Sequence, residues 1–169
     1  MFANDGSFER YYHPHTRFLP AVKSINTLSA KSPLLFWTIL LLAAERYSSH
    51  AEPQDGVDNL YELLCTVHDV LIAEILHIAI QKLDVVHALI LLCMWPVPKL
   101  RNAYDPSWNY IGLAIQAALS LNCHSPVAKN SVTSHYRAGA DTAAAEMEPS
   151  NQAMTWLHCF EMGARYVDH

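Results

Sequence analysis

The sequence predicts an all-α chain, an irregular multi-helix bundle. Apolar residues recur at three- and four-residue steps, prolines punctuate the ends of the apolar segments, and no stretch alternates with period two. The 169 residues have the scale of one domain, enough to hide about 70% of the unfolded surface. Hydrophobic residues make up 51% of the chain and charged residues 16%, against about 25% charged in an ordinary soluble domain. So few charges cannot cover so much apolar side chain. The composition therefore points to a partial version of a larger helical domain, or to a chain that buries surface against a partner.

The leading segment, residues 1–31, is rich in aromatics and prolines: Phe8, Tyr11 and Tyr12 stand at helical spacing, and Pro14 and Pro20 then break the pattern. A helical core is expected over residues 32–126. Its first helix starts at Ser32, whose hydroxyl can cap free amides, with Pro33 at the first helical position, and it ends near Tyr47. A polar loop from Ser48 to Gly56 leads to an amphipathic helix from Val57 to Ile80. Its apolar face is drawn through Leu60, Leu63, Leu64, Val67, Leu71, Ile75 and Ile78, with Asp58, Glu62, Asp69 and Glu74 elsewhere.

Leu83 to Trp95 is apolar nearly all round, as in a helix packed on several sides, and Pro96 and Pro98 stop it. The next helix opens with Asp105 as cap, favourable also at the positive end of the helix dipole, and Pro106 in the first turn. Along it Ile111, Ala114, Ile115, Ala118, Leu119 and Leu121 line one side, while Gly112, Ala114, Ala117 and Ala118 allow a neighbour to approach closely. Asn122 suits a left-handed end. Residues 127–150, rich in Ala, Ser and Thr, read as a loop or linker, and 151–169 as a short helix and tail.

The charge pattern excludes direct DNA binding by these residues. Eleven Lys and Arg against sixteen Asp and Glu give a net charge of −5, and the basic residues are scattered singly. Neither Pro33–Ala44 nor Val85–Trp95 reaches the ~20 residues a membrane-spanning helix needs, and residues 1–10 lack the apolar run of a signal peptide. Cys65, Cys93, Cys123 and Cys159 form no Cys-x-x-Cys pair and read as small core residues of a reducing compartment.

Each candidate for chemistry has a plainer account. His13 and His15 are separated by Pro14 and read as exposed turn residues. Cys123-His124 and His158-Cys159 could unite as a zinc site, but adjacent residues diverge on a helix; His124 is expected to turn to a helix-end carbonyl. Glu62, Asp69 and Glu74 could pair with His68 or His77 but read as solvated charges. No catalytic or metal site is assigned. Trp37, Trp95 and Trp108 are either core anchors or the walls of a small-molecule pocket.

Four words carry a resemblance: Ser32-Pro33-Leu34-Leu35-Phe36-Trp37, the run ending in Trp95-Pro96, Asp105-Pro106-Ser107-Trp108, and Gly112-Leu113-Ala114-Ile115. With His124 and a fainter echo from Thr155 to Phe160, the chain resembles the middle regulatory region of fungal transcription factors that carry a binuclear zinc cluster. The resemblance implies a nuclear, helical, non-catalytic regulatory domain of an RNA polymerase II transcription factor, with protein partners or self-association. Zinc is expected only in an amino-terminal cluster, which these residues lack, and no cofactor in this chain. Asn122 and Cys123 replace a usual Gly-Leu before His124, and Gln116 replaces an Arg, which puts inherited surface contacts in doubt. Similar proteins continue with further helices beyond the position of Phe160, so a truncated member with open apolar surface is expected.

Overall fold

The computed structural model describes residues 10–16, 18–19, 25–50, 55–77, 82–97, 106–125 and 149–167. Helices α1 (Ile25–Lys31), α2 (Pro33–His50), α3 (Asp55–His77), α4 (Leu83–Met94), α5 (Ser107–Ser120) and α6 (Pro149–Val167) follow a 3-10 turn at His13–His15. No strand occurs among the described residues, so the chain is all-α.

Helix α4 is the central post. It buries Leu83 and every residue from Val86 to Cys93, and α2, α5 and α6 pack around it. Each Leu or Ile taken fully from water contributes roughly 1.5–3 kcal/mol, which makes this short helix the largest apolar investment in the fold. It stops where expected: Trp95 leaves helical backbone at φ −129° and ψ 79° because the ring of Pro96 crowds a helical predecessor.

Ser32 is the joint between α1 and α2. Its amide donates to Leu28 O and closes α1, while its carbonyl accepts from Phe36 N–H and opens α2. The side chain does not cap its own helix as expected. It donates instead to Asp84 in the first turn of α4, and Lys82 Nζ donates to Lys31 O beside it at 3.3 Å. The carboxylate outcompetes the free amides because a charged acceptor makes the stronger hydrogen bond.

The buried face of α3 differs from the expected one. Tyr61, Leu64, Cys65, His68 and Ile72 are buried toward α2, whereas Leu63 is 59% exposed and Val67 only half-buried. A stripe drawn through aliphatics alone misses the amphipathic Tyr61 and His68, which rotate the inner face. Ile78 lies outside the described residues, as do the side chains of Asp58, Leu60, Glu74 and Ile75.

Helix α5 begins at Ser107, with Pro106 in helical backbone before it; the expected cap, Asp105, lies outside the described residues. Ile111, Ala114, Ala117 and Ala118 face the core as expected, but Leu119 is 43% exposed. Gly112 is not the expected point of close approach, since a Cβ added there would meet nothing within 4 Å. The close approach comes from α6, where a Cβ on Gly163 would lie 3.1 Å from Ile115 Cδ1. The end of α5 is as expected: Asn122 adopts φ 58°, Cys123 N–H donates to Ala118 O, and Asn122 N–H donates to Leu119 O. This paired closure satisfies the last free carbonyls of the helix. Helix α6 starts before residue 151, and the rest of the expected linker, to residue 148, lies outside the described residues. No helix of the described residues is long and apolar enough to cross a membrane.

Candidate functional site

The three tryptophans have different surroundings. Trp37 is half-buried against the core, its ring edge-on to Phe36 at 5.4 Å. Trp95 is also half-buried and meets Tyr12 edge-on at 5.0 Å, and the Tyr12 hydroxyl donates to Leu42 O at 3.0 Å. The polar end of that otherwise buried ring thus finds the backbone partner it requires. Trp108 does not anchor the core. It is 55% exposed in the first turn of α5, because Ser107 and Tyr110 take the inward positions there.

Other positions of the resemblance serve the joints of the fold. Ser32, with the exposed Pro33 after it, makes the α1–α2 joint, and half-buried Phe36 meets Trp37. Pro96 ends α4; Leu113 and Ala114 lie on the half-buried and buried sides of α5, and Gly112 faces outward. His124 does not turn to a helix-end carbonyl. Its ring stands edge-on to Trp156 at 5.9 Å, which docks the turn after α5 against α6.

An aromatic and imidazole cluster joins the leading segment to α4 and α6. Phe18, fully buried, lies 5.2 Å from the His87 ring and 4.7 Å from the His158 ring. Thr155 Oγ1 donates its one proton to Asn151 O at 2.7 Å, so at 2.9 Å it accepts from His87 Nε2–H. That fixes the His87 tautomer and leaves Nδ1 as a buried acceptor without a partner. Burial, and then the nearby His158, pull the His87 pKa down to about 3, so it is neutral at pH 7. His158 Nδ1–H donates to Met154 O at 2.8 Å. Sequence reasoning missed this cluster. The signal available was one polar residue, His87, inside an apolar run, which demands a partner without naming it.

His68 is fully buried on α3, and both ring nitrogens lack a hydrogen-bond partner. Burial lowers its pKa to about 4. Glu62 and Asp69 point to solvent rather than to this ring, as the reading of solvated charges expects. His15 is exposed, and the side chains of His13, Glu74 and His77 lie outside the described residues.

All four cysteines are buried free thiols, and Cys93 Sγ–H donates to Ser107 O at 3.4 Å. Burial raises the Cys123 pKa, and burial with the adjacent Cys123 pushes Cys159 up to about 12. Cys123 and Cys159 are thus brought together, while His124 and His158 engage Trp156 and Met154 O. No three His, Cys, Asp or Glu among the described residues converge as a metal site. The residues do not fit a two-metal zinc cluster: the other two thiols sit on α3 and α4, and no basic residues separate closely spaced cysteines.

The model of the fungal specific transcription factor domain matches residues 5–160. The chain is 33% identical over 119 residues to Transcriptional regulatory protein SEF1 of Candida albicans, covering 69% of this chain and 12% of that protein. It is 31% identical over 118 residues to a SEF1 transcription factor of Eremothecium gossypii, covering 69% of this chain and 10% of the other. A Kluyveromyces lactis SEF1 transcription factor is 32% identical over 114 residues, covering 64% of this chain and 10% of its own length. The chain thus spans about a tenth of the length of the curated relatives it matches. No solved structure matches it significantly. With a match running from the leading segment through most of α6, the chain belongs to the fungal specific transcription factor domain family.

Proposed function

We propose that the chain acts in transcription regulation as a non-catalytic, nuclear, helical regulatory unit, binding other protein segments rather than DNA. The observation that carries this reading is the family match over residues 5–160, which takes in α1 to α5 and most of α6. The net charge of −5, without a basic stripe, supports DNA contact made elsewhere, through a zinc cluster that these residues do not supply. Its partners are apolar protein surfaces, because α3 and α6 carry aliphatic or aromatic side chains on the sides turned away from the core. Leu63 and Val70 are 59% and 55% exposed on α3, and Leu157 and Phe160 are 57% and 68% exposed on α6. No observation favours the alternative, a small-molecule module walled by Trp37, Trp95 and Trp108.

The chain fused to an unrelated DNA-binding domain, in a fungal reporter strain, tests the proposal. Reporter output is expected to change severalfold relative to the DNA-binding domain alone, in either direction. The isolated chain is expected to leave duplex DNA unshifted at moderate salt. Salt-sensitive DNA retention, or a fusion indistinguishable from the DNA-binding domain alone, would count against it.

A further inference from the structure

We infer that Cys123 and Cys159 are a reversible redox site, whose disulfide ties the turn after α5 to α6. Both thiols are fully buried in one core cluster and neither is crosslinked. The packing of α5 on α6 and the His124–Trp156 ring contact independently place the two segments side by side. Each thiol has its neighbour across that seam, and the charge of one is felt at the other. Cys65 and Cys93 sit on α3 and α4, away from the seam, and Cys93 is occupied by Ser107 O.

Burial keeps both thiols protonated, so the resting pair is inert and reaction begins with local opening. Cys123 opens first. It lies in the closing turn of α5 between exposed Asn122 and His124, whereas Cys159 lies within a helix. The oxidant is a low-molecular-weight disulfide such as oxidised glutathione. The Cys123 thiolate attacks one of its sulfurs, the S–S bond breaks, and one glutathione leaves and takes up a proton. The Cys159 thiolate then attacks the Cys123 sulfur of the mixed disulfide and expels the second glutathione, which is also protonated. Two protein thiols are oxidised to one disulfide, and one oxidised glutathione is reduced to two thiols.

The test is intact mass and peptide mapping of the full chain after incubation with oxidised glutathione, followed by dithiothreitol. The expected product has lost the mass of two hydrogens, carries no glutathione, maps to a Cys123–Cys159 link, and reverts on reduction. Its Tm is raised, because the link shortens the free loop of the unfolded chain. Cys65→Ser and Cys93→Ser should form it unchanged, and Cys159→Ser should stop at a glutathione adduct on Cys123. The wild-type peptide map decides the matter even where a serine variant fails to fold. A persistent wild-type adduct, a link to Cys65 or Cys93, or no reaction would each overturn the inference.

Discussion

Ser32 Oγ donates to the carboxylate of Asp84, joining the α1–α2 junction to the first turn of α4. The bond is largely buried at Ser32, and Asp84 also places negative charge at the positive end of α4. Ser32→Ala is therefore expected to cost about 1–3 kcal/mol, as for a hydrogen bond to a charged acceptor. Ser32→Thr, which keeps the hydroxyl, should cost less. Urea denaturation of Ser32→Ala, Asp84→Ala and the double variant checks this; additive losses would show that the two side chains act independently.

Acid should destabilise the fold through two imidazoles. The folded chain holds His68 at about 4 and His87 at about 3, against 6.5 for the ordinary side chain, with burial the leading cause in both. The unfolded chain binds protons that the folded chain refuses, so this part of the stability is complete above pH 6.5. It is lost as the pH falls through 6.5 toward those lower values. At pH 4 each site should have lost on the order of 3 kcal/mol. Thermal melts of wild type and His68→Leu at pH 7, 5 and 4 read out the difference. At pH 7 the leucine variant should be the more stable by about 1–3 kcal/mol, since it removes a buried ring with two unpartnered nitrogens. A steeper acid loss in His68→Leu than in wild type would contradict the assignment.

The two described glycines should respond differently to alanine. Gly112 faces open space within α5, so Gly112→Ala is expected to stabilise by about 0.5–1 kcal/mol through reduced unfolded-state freedom. Gly163→Ala must push the Ile115 δ-methyl aside from 3.1 Å, which offsets the same gain. Urea midpoints should rank Gly112→Ala above Gly163→Ala.

Asn122 carries the left-handed step that ends α5. Asn122→Gly is expected to hold or slightly raise stability, whereas Asn122→Val should cost about 1–2 kcal/mol, because a β-branched side chain crowds the following carbonyl. Equal melting temperatures for the two variants would remove the strain argument.

The outward apolar residues of α6 should govern surface behaviour without governing stability. Phe160→Ser and Leu157→Ser are expected to reduce binding of a hydrophobic dye while shifting the unfolding free energy by no more than about 0.5 kcal/mol. A large loss of stability would show that these side chains pack inward.

Much of this fold is legible in the sequence, since helix starts and stops are local chemistry. Pro33 and Pro96 mark boundaries where the helices begin and end, and Asn122 supplies the predicted left-handed residue. The inner face of α3 was not legible, because Tyr61 and His68 count as polar in a pattern yet are buried, and Leu63 counts as apolar yet is exposed. Nor was the cluster of Phe18, His87, Thr155 and His158. Its members are scattered along the chain, and only packing decides which partner an interior imidazole finds. Ser32 shows the same limit: its position marks the start of α2, while the destination of its hydroxyl depends on a residue far along the chain.

The enclosure of Phe18 has a bearing on synthesis. Its ring rests on an imidazole near the far end of the sequence, so an emerging polypeptide cannot seal this part of its interior until α6 has cleared the ribosome. The earliest residues made are thus among the last to find shelter, and a nascent chain halted before α6 should leave that phenyl ring available to a chaperone.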